Sequence, residues 1–147
     1  MCGIAGIFNP KLEFSKKQLE SHLLKMTDSV VHRGPDDSGS WISQDHFCAL
    51  GHRRLSIIDL SPDGKQPMKN ERYVITFNGE IYNYRELRAE LQSHGITFRT
   101  NSDTEVLLAS YSHWGKDCLS KFDGMYAFAI YDNKDKSLFL ARDPFGE

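Results

Sequence analysis

Small and apolar residues alternate from Gly3 to Phe8 with no charge among them, which predicts a buried strand, and Asn9-Pro10 closes it as a turn. Ser15 followed by Gln18 forms a capping box, and Leu19, Leu23, Met26 and Val30 then recur at helical spacing until Gly34-Pro35 stops the pattern. From Gly39 the period changes. Trp41-Ile42, the polar turn Gln44-Asp45-His46 and the return over Phe47 to Leu50 predict a hairpin. Leu55 to Ile58 and Tyr73 to Phe77 read as further strands, with Ser61-Pro62-Asp63-Gly64 as a turn between them. Asn83 with Glu86 opens a second helix that turns Leu87 and Leu91 inward and stops at Gly95. Ser102 with Glu105 opens a third, ending near Trp114-Gly115. Tyr126 to Tyr131, a loop over residues 132–136, and Leu138 to Arg142 make a last hairpin that leads into Asp143-Pro144-Phe145-Gly146. Strands and helices mix without the regular alternation of parallel βαβ units, so an α+β domain with antiparallel sheets packed on helices is expected.

The 147 residues suffice for one domain with a single core. With 39% hydrophobic, 26% charged and 12% aromatic residues, the chain has the makeup of a globular protein and not of a disordered one. Acids and bases are interspersed to a net charge of −2, without the basic stripe that a phosphate backbone requires, so nucleic acid is not an expected partner. The apolar opening over residues 3–8 is too short for a signal core or a membrane span and lacks a basic flank. No membrane partner and a cytoplasmic location are expected.

Cys2, Cys48 and Cys118 are odd in number and widely separated, which fits neither a disulfide framework nor paired zinc ligands. Cys48 lies in the apolar run Phe47-Cys48-Ala49-Leu50 and is expected to fill core; Cys118 is expected at a helix end or in a loop. The histidines, His32 and His52 included, match no metal spacing and are read as structural or solvent-facing. Cys2 is different. Removal of Met1 would leave a thiol and a free α-amine on one residue. A thiol with a pKa of about 8.5 needs a base at neutral pH, and an α-amine of about 7.7–8.0 is matched to that task. Hydrolases that use an N-terminal residue work on this principle, one residue supplying both the attacking atom and the proton acceptor.

Six segments then occur in order: MCGIAGIF at the amino end, HRGPDDSG (His32 to Gly39), GHRRLSIID (Gly51 to Asp59), FNGEIYN (Phe77 to Asn83), NSDTE (Asn101 to Glu105) and FDGMYAFAIYD (Phe122 to Asp132). With these, the chain from Cys2 to Gly146 resembles the glutaminase domain of glutamine-dependent asparagine synthetases, class II amidotransferases of the N-terminal-nucleophile hydrolase fold. Sugar-amine and phosphoribosylamine relatives share the opening but carry a His-Thr-Arg-Trp type motif. Arg54-Leu55-Ser56-Ile57 stands there instead and favours the asparagine synthetase branch.

The resemblance implies an αββα sandwich, with two antiparallel sheets between helices, and hydrolysis of glutamine to glutamate and ammonia through a Cys2 thioester. It places the Asn78 side-chain amide and the Gly79 N–H on the oxyanion, the glutamine α-carboxylate on Arg54 and the α-ammonium on Asp103, with Glu80 alongside. Backbone atoms of Leu55, Ser56, Ile57 and Ile58 would finish that wall. A guanidinium fork holds a carboxylate in bidentate fashion, and glycine at position 79 is expected because its backbone must approach the ligand closely. Plainer readings stand beside these, and residue grammar alone favours them: Arg54 as a surface ion-pair partner, Asp103 as a helix cap, Asn78-Gly79 as a type I′ hairpin turn. The six ordered motifs favour the site.

Relatives continue past Arg-Asp-Pro-Phe-Gly with a Pro-Leu-Tyr strand, more sheet and an ATP-binding synthetase domain, so the resemblance implies a glutamine amidotransferase domain over residues 1–147 that is incomplete at its C-terminal end. Expected partners are glutamine and an ammonia-accepting synthetase domain, with a homo-oligomer possible. No cofactor is expected in this domain; ATP and Mg belong to the synthetase domain, which would convert aspartate to asparagine. The alternatives are an inactive domain of the same fold that serves in binding, or the glutaminase half of another amidotransferase.

Overall fold

Each of the long apolar segments enters one of two antiparallel sheets or a helix laid on them. The computed structural model describes residues 2–55 and 64–146. Strands β1 (Gly3–Phe8), β2 (Asp37–Ile42) and β3 (Cys48–Arg54) form the first sheet in the order β1-β3-β2. Strands β4 (Met68–Lys69), β5 (Tyr73–Ile81), β6 (Gly124–Asp132) and β7 (Ser137–Arg142) form the second, in that order. Helix α1 (Lys16–Ser29) lies on β1 and β3; α2 (Tyr84–Ser93) and α3 (Asp103–Trp114) pack together, with α3 on β5. The two sheets meet through β1, β3 and β5, which gives helix, sheet, sheet, helix. This is the layering that the resemblance implies.

Strand alternation explains the burial of β3 on both faces. Ala49 packs with Leu19 and Leu23 of α1. Gly51 lies under the same helix, where a Cβ would stand 2.6 Å from Thr27 Cγ2. On the opposite face Cys48 and Leu50 meet Val74, Ala129 and Tyr131 of the second sheet. β5 alternates likewise: Ile75, Phe77 and Ile81 join Leu87, Leu91, Val106 and Leu107 under α2 and α3. Both of the thiols away from the amino end are buried, Cys48 between the sheets and Cys118 in a 3₁₀ segment over Gly115–Lys121. Loss of solvation pushes each up to about 12, so both are neutral at physiological pH.

Several expectations are corrected. Met26 is exposed and Val30 is the C-cap of α1; Thr27 takes the inward position, its hydroxyl donating to the carbonyls of Leu23 and Leu24. The strand expected over Leu55 to Ile58 does not begin at Leu55, because β3 ends at Arg54; Ser56, Ile57, Ile58 and most of the turn over residues 61–64 lie outside the described residues. Asn83 stands at the N-cap of α2 without capping it. Its amide instead donates to Lys121 O and accepts from Asp123 N–H, tying the helix start to the entry of β6. Glu105 does not reach back to the α3 N-cap but accepts from the N–H groups of Arg99 and Thr100. The two-residue β4 was unannounced by the pattern; it pairs only with Ile75 and Val74.

Candidate active site

Along the inner faces of β3 and β5 the chemistry changes from apolar to polar in the same direction. Cys48 and Leu50 give way to His52 and Arg54; Val74 gives way to Thr76, Asn78 and Glu80. Two hydrogen bonds cross between the sheets at the changeover, Thr76 Oγ1 to Gly51 O at 3.1 Å and His52 Nε2 to Phe77 O at 3.1 Å. Beyond them the sandwich opens into a cavity of about 150 Å³, whose lining includes Cys2, Arg54, Leu55, Asn78, Gly79, Glu80 and Asp103. The described residues that the resemblance named for the site are therefore all brought together, although they come from four separated segments.

Cys2 stands at the head of β1, half-buried. The Leu55 N–H donates to its Sγ at 3.4 Å, and the thiol faces Leu55 O at 3.7 Å, so the end of β3 fixes the sulfur. Arg33 Nε donates to the Cys2 carbonyl at 3.1 Å from the 3₁₀ turn Val31–Arg33. Arg54 ends β3, buried, opposite Asp37 of β2.

Asn78 and Gly79 are not a hairpin turn. They lie within β5, opposite Ala127 and Tyr126 of β6. The Asn78 Oδ1 is buried without a hydrogen-bond partner among the described residues, an expensive state for an amide oxygen unless a ligand relieves it. Gly79 has φ +140°, and a Cβ there would stand 2.1 Å from Met125 O and 2.7 Å from Tyr126 Cα. The need for glycine thus comes from the backbone of β6, where approach to a ligand was the expected reason.

Because β4 covers only residues 74 and 75, the outer edge of β5 is met further on by side chains. Gln66 Oε1 accepts from Phe77 N–H at 2.6 Å, and Asp103 Oδ2 accepts from Ile81 N–H at 3.1 Å. The Gln66 amide also donates to Thr104 Oγ1 at 3.2 Å, joining this edge to the start of α3. Ser102 is the N-cap there, its hydroxyl accepting from Thr104 N–H, so Asp103 is not the cap but the first helical residue, held facing the strand.

Burial and the neighbouring Glu80 charge raise Asp103 from 3.8 to about 6, against the hydrogen bonds that favour its ionised form. His52 is 1% exposed, and burial holds it down at about 4, so it is neutral. Since the Phe77 carbonyl only accepts, the neutral ring carries its proton on Nε2. Sequence reasoning missed three participants here, His52, Gln66 and Arg33. His52 and Arg33 sit in motifs that carried the resemblance, yet their partners are main-chain groups of other elements, which no local pattern announces.

A strand-borne amide and glycine, the Cys2 thiol, and a buried arginine and aspartate thus line one cavity. Residues 1–147 match the glutamine amidotransferase domain family, to which the chain belongs. It is 49% identical over 148 residues to glutamine-hydrolyzing asparagine synthetase 1 of Bacillus subtilis, a match that covers 99% of this chain and 23% of that protein. Amidase chry2 of Gibberella zeae is 40% identical over 155 residues, covering 99% of this chain and 23% of that protein. The chain thus spans about a quarter of the length of these relatives. Among solved structures, the glutamine phosphoribosylpyrophosphate amidotransferase of B. subtilis superposes with a TM-score of 0.71 at 24% identity, over 99% of this chain and 37% of that one. That likeness supports the N-terminal-nucleophile sandwich as the fold.

Proposed function

We propose that the domain hydrolyses glutamine to glutamate and ammonia, with Cys2 as nucleophile after removal of Met1. The Cys2 sulfur attacks the side-chain amide carbon, its thiol proton passing to the Cys2 α-amine. The amine then delivers that proton to the departing nitrogen as the C–N bond breaks, leaving a thioester and ammonia. Water adds to the thioester and expels the sulfur, giving glutamate. Each tetrahedral intermediate places negative charge on the former carbonyl oxygen. The Asn78 amide, turned by half a rotation to present Nδ2, and the Gly79 N–H would receive it. Loss of one such donor costs on the order of 10²–10³ in rate. Strand alternation supports the second donor, because Phe77 and Ile81 both direct N–H groups to the outer edge of β5 and Gly79 lies midway between them.

Arg54 would hold the α-carboxylate and Asp103, with Glu80, the α-ammonium; Leu55 to Ile58 would complete the wall. The observation that carries this reading is the convergence of Cys2, Arg54, Asn78, Gly79 and Asp103 on one cavity. Ammonia released into neutral water becomes ammonium, which is no nucleophile, so a sheltered transfer to a synthetase domain of the same protein is proposed. By likeness to the asparagine synthetases, that domain would use ATP and Mg to convert aspartate to asparagine. No cofactor is assigned to the glutaminase site. None of the helices among the described residues is long and apolar enough to cross a membrane, and a cytoplasmic location is proposed. A second reading is the glutaminase half of another amidotransferase, and it is supported only by a 40% identical relative that does not carry the asparagine synthetase name.

Two measurements on the full chain test the proposal. Intact mass of the cell-made protein is expected to lack Met1, and Cys2→Ala is expected to abolish glutamate release. Retained Met1 with undiminished activity would refute it.

A further inference from the structure

The changeover point of the sandwich carries more polar order than its packing requires. Phe77 precedes the Asn78-Gly79 pair, and both of its backbone polar groups, which face away from β6, are taken by side chains from other segments. Its N–H donates to Gln66 Oε1 at 2.6 Å, and its carbonyl accepts from His52 Nε2 at 3.1 Å. Thr76 Oγ1, one residue earlier, is anchored to Gly51 O. All four side chains are buried: His52 at 1% exposure, Thr76 at 1%, Phe77 at 2% and Gln66 at 8%. Beyond this point β5 must pass through the unusual backbone of Gly79, at φ +140°, before Asp103 takes hold of Ile81 N–H.

We infer that His52 and Gln66 are positioning residues for amide cleavage: by gripping the two faces of the Phe77 peptide edge they set where the Asn78 amide and the Gly79 N–H stand relative to Cys2. The inference rests on the glutaminase reading of the cavity. A strand edge left to water would let the peptide planes on either side of Phe77 tilt, and donors that must meet charge as it develops lose their value when displaced by about 1 Å. His52 suits this task because it is neutral and has one N–H to give; Gln66 suits it because one amide end accepts from Phe77 while the other donates to Thr104 at the start of α3. The Gln66 link also ties the donors for the oxyanion to the helix that carries Asp103, so the two ends of the bound amino acid share one frame.

The role predicts an effect on the transition state without an effect on the ground state. In the full chain, His52→Leu, which keeps bulk and removes the N–H, is expected to lower kcat for glutamine hydrolysis by about 10–100-fold with KM within about 2-fold. His52→Gln, which restores an N–H donor, should recover most of that loss. The γ-aldehyde analogue of glutamine, which forms a tetrahedral adduct with a thiol, should bind more weakly to His52→Leu by the same factor as kcat falls, while glutamate binds as before. Gln66→Met is expected to behave like His52→Leu and stands in for it if the leucine variant does not fold. An unchanged kcat in a folded variant overturns the inference. So does a loss confined to KM, or equal impairment by leucine and glutamine at position 52. If the unmodified chain releases no glutamate, the glutaminase reading itself falls, and with it this inference.

Discussion

Asp103→Asn should make the protein more stable and the enzyme worse. The folded chain holds the Asp103 carboxyl at about 6 against 3.8 in water, first because burial disfavours the charge and then because Glu80 repels it. About two pH units at 1.36 kcal/mol each correspond to ~3 kcal/mol. The sign follows from proton binding. Between pH 3.8 and about 6 the folded state holds a proton that the unfolded state has released, so stability falls as pH rises through this window. Above pH 6 the ionised Asp103 carries the whole penalty. Asparagine keeps an oxygen to accept from Ile81 N–H and removes both the buried charge and the repulsion with Glu80. Urea unfolding at pH 7.5 should therefore show the variant more stable by up to about 3 kcal/mol, the gain shrinking to near zero by pH 4. Its KM for glutamine should rise about 10–100-fold, because the ammonium loses a charged acceptor. A variant less stable than the parent at pH 7.5, or a stability difference that does not vary with pH, would refute the reasoning.

Other substitutions probe the frame and the thiols. Gly79→Ala places a Cβ within 2.1 Å of Met125 O at a φ of +140°, so it should destabilise the fold by about 3 kcal/mol or more, read as a lowered Tm or lost soluble yield. Iodoacetamide at pH 7.5 should modify Cys2 and spare Cys48 and Cys118, both held at about 12 by burial, until urea unfolds the chain; peptide mass mapping reads the order.

Much of the site was legible because its chemistry depends on residue types at ordered positions. A thiol at position 2, the arginine pair in Gly51-His52-Arg53-Arg54 and an aspartate after a helix N-cap are local features, and six ordered motifs lent them a common meaning. Roles that depend on the other side of a contact were not legible. Asn78-Gly79 has the letters of a turn, and only pairing with Ala127 and Tyr126 makes it strand. Asn83 has the letters of a cap, and only the proximity of Lys121 and Asp123 draws its amide away. His52 and Gln66 bind main-chain atoms 25 and 11 positions distant, which no periodicity encodes.

By itself the sequence determined the period of the longer helices and strands, the thiol beside a potential free amine, and the membership of an amidotransferase family, since these rest on residue identity and near-neighbour spacing. Tertiary structure decided which way each polar group faces. Two sheets closing on one another buried His52, and α3 laid against the edge of β5 buried Asp103; desolvation set the direction in which each proton affinity moved, and a polar mouth remained where β3 and β5 run out of apolar residues. Burial is a property of what lies opposite, and what lies opposite comes from distant parts of the chain.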